Sequence, residues 1–180
     1  RWWLINGSFI QSSAMEQQGD TTVKLVATGD FNKDTFLDGL WRDTTTGENF
    51  VSFGNSYNTW STTGLTPIQS LPDTNWEIVG TGYFDGSMDT SIDILWRNKV
   101  TGDNAVWFMD GTRFVSAVLI QEVPDLNWKM GATGDFNSDG FTDIVWRHAT
   151  TGLNYAWYMQ ATNLITTAQI QPAQAGAEPT

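Results

Sequence analysis

Four oxygen-bearing side chains stand close together near the end of the chain. In "GDFNSDGFTDIVWR", Gly134 to Arg147, they are Asp135, Asn137, Asp139 and Asp143. Three carboxylates this close repel one another, so something must compensate them. Counted from Asp135, the oxygens fall at positions 1, 3, 5 and 9. Gly140 holds position 6, where it permits a sharp turn, and position 7, Phe141, can offer its backbone carbonyl. An all-oxygen set on one short loop suits a hard cation such as Ca2+, which takes six to eight oxygens at about 2.3–2.6 Å. An EF-hand would need flanking helices and a Glu at position 12, where this chain has Trp146.

The loop recurs. Asp30, Asn32, Asp34 and Asp38 repeat the four positions, with Thr35 in place of Gly at position 6. A β-branched residue disfavours positive φ, so this loop is expected to be distorted. Counting back from Trp96 gives a third set, Asp85, Ser87, Asp89 and Asp93. Here "GYF" replaces "GDF" with a two-residue insertion, Ser is the weaker ligand, and Thr90 stands at position 6. The expected order of cation binding is the loop at Asp135, then that at Asp30, then that at Asp85. The competing role for such residues is to cap turns through backbone N–H groups; three copies of one spacing favour a metal.

The loops sit inside a longer repeat. Trp41, Trp96 and Trp146 mark a period of about 50–55 residues, in the range of propeller blades. Each unit reads as four short strands. In the third these are Trp128 to Gly134, Asp143 to Ala149, Tyr155 to Gln160 and Leu164 to Ile170, with "TTGLN" as a hairpin turn. Polar/apolar alternation is weak, as in sheets covered on both faces. The fold class expected is therefore all-β: propeller-type, four-stranded antiparallel blades, three complete and one half. Residues 1–20 supply the second half of a preceding blade. The repeats span 21–71, 72–123 and 124–170, and 171–180 reads as a linker-like tail.

Composition narrows the function. Of twenty acidic residues, nine lie in the three loops, and the remaining eleven nearly balance nine bases. The net charge of −11 is a property of the loops and disfavours nucleic acid. No Cys is present, which removes disulfides, thiolate metal sites and Cys nucleophiles. No apolar run has the length of a membrane span. His148 is the one His, and its repeat equivalents are Asp43 and Asn98, so nothing in the pattern requires an imidazole there. With the carboxylates assigned to a metal, no catalytic residue is expected.

D-x-N-x-D-G-x-x-D followed by an apolar strand, repeated at blade spacing with "DI-x-W-R" and "TG-x-N", resembles the FG-GAP/VCBS repeat family. The resemblance covers nearly the whole chain. It implies a β-propeller with one calcium ion per loop, up to three here, and roles in adhesion, ligand binding or carbohydrate recognition. The location expected is extracellular or at the cell surface, with affinities on the order of 10⁻⁴–10⁻³ M. The recurring Trp-Arg pairs at 41–42, 96–97 and 146–147, and the aromatics Trp3, Trp107, Trp157 and Tyr158, are expected to pack blades together. Tyr57 and Trp60, outside the repeat pattern, are the ligand-binding candidates. The expected partners are glycans and other copies of the chain or a larger parent chain. A second reading is a structural subunit whose open blade ends join copies into a ring or filament.

Overall fold

The structure is a computed structural model. It describes residues 22–55, 64–86 and 91–170 fully, and two further strands, β1 (Trp2–Ile5) and β2 (Ser8–Gln11), by their backbone. Among the described residues there is no helix. The twelve other strands form three four-stranded antiparallel sheets, each in sequence order. The first holds β3 (Val23–Gly29), β4 (Asp38–Asp43), β5 (Asn49–Ser52) and β6 (Thr66–Ile68). The second holds β7 (Trp76–Gly82), β8 (Asp93–Asn98), β9 (Asn104–Asp110) and β10 (Arg113–Ile120). The third holds β11 (Trp128–Gly134), β12 (Asp143–His148), β13 (Asn154–Gln160) and β14 (Asn163–Ile170), within one residue of the strands read from the sequence. The sheets stack like blades, and the stack does not close on itself.

The stacking explains the weak alternation. Every residue of β4 and β8 is buried, because neighbouring structure covers both faces. One core joins the first two sheets through Leu40, Val51 and Ile68 on one side and Ile78, Ile94 and Trp96 on the other. A second joins the next pair through Leu95, Val106 and Ile120 against Ile144, Trp146 and Met159. At the innermost strands, Thr81 Oγ1 donates to the Thr28 carbonyl at 2.6 Å, and Thr133 Oγ1 to the Thr81 carbonyl at 2.7 Å. The approach is close: a Cβ added at Gly80 would lie 2.8 Å from Thr133 Cγ2.

The Trp-Arg pairs tie sheet to sheet. Arg42 lies 4.9 Å over the Trp96 ring, and Arg97 lies 5.0 Å over Trp146. Both guanidinium groups are buried and saturated with acceptors. Arg97 donates to the Gly102 and Val123 carbonyls and to Asn104 Oδ1 at 2.9–3.1 Å. Arg42 makes the same three contacts with Gly47, Leu71 and Asn49. Burial lowers the pKa of both arginines, in the direction that desolvation of a cation dictates. The glycine of each hairpin turn lies against the linker that follows. Gly102 has φ 82°, and a Cβ there would sit 2.3 Å from the Val123 carbonyl oxygen.

Candidate metal centre

Each acidic loop joins the first two strands of its sheet, so the strands fix both ends of the loop. At the far end stands the ninth-position Asp. Asp38, Asp93 and Asp143 are 0–1% exposed. One oxygen of each accepts the N–H of the loop's second residue: Phe31, Phe84 and Phe136, at 2.8–2.9 Å. The other accepts an N–H from beyond the third strand in the first sheet, Gly54, or from within it in the others, Met109 and Met159, at 2.8–3.0 Å. One buried carboxylate thus clamps the loop to its own sheet.

The remaining loop residues are arranged alike in the first and third loops. Asp135 accepts the N–H groups of Asp139 and Gly140, and Asp30 those of Asp34 and Thr35. Asn137 and Asn32 accept the N–H of Asp139 and Asp34 and donate their amides back to the same side chains. Asp139 accepts from Phe141, and Asp34 from Phe36. Seven hydrogen bonds match one for one, counting the two made by the ninth residue.

The first loop is therefore not distorted, contrary to the sequence expectation. Thr35 takes φ 74° where Gly140 takes 89°. The two N–H bonds to Asp30 and Asp34 hold the backbone in place, so the strain is borne by the residue and not relieved by the loop. A non-glycine residue there stores about 1–3 kcal/mol, and glycine returns part of the relief as unfolded-state entropy. Thr35→Gly is expected to raise stability in urea unfolding by about 1 kcal/mol. A loss of stability would show that Thr35 is not strained.

The second loop differs at its start. The Phe84–Asp93 bond is the counterpart of the Phe136–Asp143 bond, so Tyr83 takes the place of Asp30 and Asp135. Tyr83 is exposed and its N–H donates to Thr142 Oγ1 of the third sheet. Asp85 follows Phe84, as Asn137 follows Phe136. Ser87 and Asp89 lie outside the described residues, as do Tyr57 and Trp60.

Electrostatics at the clamp favour a cation. Burial pushes the Asp93 pKa up to about 6, and the charge of Asp85 adds to it against the backbone N–H bonds. Asp38 is raised by burial too, with Asp34 and Asp30 contributing. A raised acid pKa means that stability falls as pH rises from about 4 to 6, because the unfolded chain loses its proton first. Metal-free protein is expected to lose stability over that window, and saturating calcium to flatten the loss. A calcium-free melting temperature that climbs steadily from pH 4 to 6 would contradict this.

The donors fit a hard cation in type. They are carboxylate and amide oxygens, each making one or two hydrogen bonds and none bound to sulfur or imidazole. Among the described residues, no three acidic or histidine side chains form a complete cage as they stand. A bound ion would be held by Asp135, Asn137, Asp139 and Asp143 in the third loop and by Asp30, Asn32, Asp34 and Asp38 in the first.

His148 has another task. Its Nδ1 accepts the Thr151 N–H at 3.2 Å, and its Nε2 faces Asp125 at 3.2 Å. Asp43 and Asn98 make the same turn bonds in the other sheets. Asp43 is held at about 2 by the Thr45 hydroxyl first and by backbone N–H groups. The chain matches no known protein-family model and no curated protein.

Proposed function

We propose that the chain is a non-enzymatic calcium-binding repeat module of the FG-GAP/VCBS kind, working outside the cell in adhesion or ligand binding. The observation that carries the reading is the pair of loops with seven matching hydrogen bonds. Two loops 105 positions apart keep the same oxygens in the same places, one of them at the cost of a strained Thr35. Turn capping alone would not require three anionic side chains per loop. Calcium would neutralise the carboxylates and lock each loop between its strands. Its effect on stability follows mass action, RT ln(1 + [L]/Kd). Melting at increasing calcium should show a rising midpoint that chelator reverses; a midpoint independent of calcium would remove the proposal.

A second reading, a subunit that joins copies, draws on the outer face of the third sheet. Arg42 and Arg97 are 3% and 4% exposed under the next sheet, whereas Arg147, their equivalent, is exposed and donates to Asn154 alone among printed partners of its kind. Phe136 is 49% exposed where Phe31 and Phe84 are buried. Light scattering should then show association that Arg147→Ala weakens. A monomer at micromolar concentration, unchanged by the substitution, would remove this reading.

A further inference from the structure

A cleft of about 220 Å³ opens between the second and third sheets. It is lined by Trp128, Trp146, Tyr155 and Trp157, with Val123 and Thr167 at its edges. The rings stand at steep angles. Trp128 and Tyr155 are 5.6 Å apart at 79°, and Trp146 and Trp157 are 5.0 Å apart at 51°. Trp146 forms the buried floor, while Tyr155 and Trp157 are half-buried and Thr167 is exposed. The site is small beside the roughly 300–1,000 Å³ of drug-sized sites.

Two lining residues depart from the repeat, and both departures add a hydroxyl. Tyr155 pairs with Trp146 where Ala105 pairs with Trp96. Thr167 pairs with Trp157 where Ala117 pairs with Trp107. The second sheet shows that packing alone is satisfied by alanine at both places, with Ala105 and Trp107 each 7% exposed. Charge narrows the ligand further. Arg97 already lies over Trp146, 5.0 Å from its ring, and would repel a cation. The net charge of −11 disfavours an anion.

We propose that this cleft binds one neutral sugar ring, its C–H faces against the indole and phenol rings and its hydroxyls toward Tyr155 and Thr167. The inference rests on the reading of the chain as a ligand-binding module, and gives that module a site. Tryptophan fluorescence titrations with glucose, galactose, mannose, fucose and N-acetylglucosamine, in calcium, test it directly. At least one sugar should bind with a Kd on the order of 1 mM. Tyr155→Ala, which installs the second sheet's own residue, should weaken binding about tenfold, as the loss of one aromatic contact implies. Its melting temperature and calcium titration should stay as in the parent. Thr167→Ala should weaken binding less. No binding by any of the five sugars, or binding untouched by Tyr155→Ala, would overturn the proposal. Calcium binding measured on the same samples separates this failure from failure of the calcium reading.

Discussion

Replacing Arg97 with alanine is expected to cost about 4 kcal/mol of folding stability, against under about 1 kcal/mol for Arg147→Ala. Both arginines close a Trp-Arg pair, yet their surroundings differ. Arg97 is 4% exposed and donates to two carbonyls and an amide oxygen. Removing it strands those acceptors between two sheets, at about 1–3 kcal/mol for each one that water does not reach. The stack on Trp146 goes with it, worth about 0.5–2 kcal/mol. Arg147 is exposed, and its bond to Asn154 competes with water. Urea unfolding of the two variants at low protein concentration makes the comparison inside one molecule. Equal losses would show that the guanidinium does not bridge the sheets.

Asp143→Asn is expected to cost about 2–4 kcal/mol even in chelator. The carboxylate accepts N–H groups from opposite sides, Phe136 on one oxygen and Met159 on the other. An amide has one accepting oxygen. Its NH2 must then face a backbone N–H in a buried site, so one bond is lost and two donors are opposed. Asp93→Asn meets the same geometry at Phe84 and Met109, and should cost a similar amount without calcium. With calcium present, the loss at Asp143 should exceed that at Asp93, since the third loop keeps Asp135 where the second has Tyr83. Chemical unfolding with and without calcium reads both comparisons. A harmless Asp143→Asn in chelator would mean that the clamp contributes nothing of its own.

The architecture was legible because the repeat carries it. Three Trp-Arg pairs, three hairpin glycines and three acidic loops mark the strands of each sheet, and the third sheet's strands follow from them to within a residue. The ninth-position Asp was legible as a ligand but not as a clamp. Its partners are the N–H of Phe136, seven residues back, and of Met159, sixteen residues on, and backbone groups leave no mark in residue types. The conformation of Thr35 was misjudged for a related reason. Propensity weighs the residue alone, whereas Asp30 and Asp34 hold its neighbours' N–H groups and outweigh a strain of about 1–3 kcal/mol. The aromatic cleft was invisible because Trp128, Trp146 and Trp157 follow the repeat. Only the exchange of Ala105 and Ala117 for Tyr155 and Thr167 distinguishes it, and the register that aligns those positions comes from the strand pairing.

Calorimetric titration of the metal-free chain with calcium is the most direct test of the central claim. The expected result is saturable binding with Kd on the order of 10⁻⁴–10⁻³ M, dominated by the first and third loops. Asp135→Asn should remove the third loop's share and leave the first loop's intact. Heats no larger than dilution, or a titration that Asp135→Asn leaves unchanged, would contradict the assignment of the loops as calcium sites.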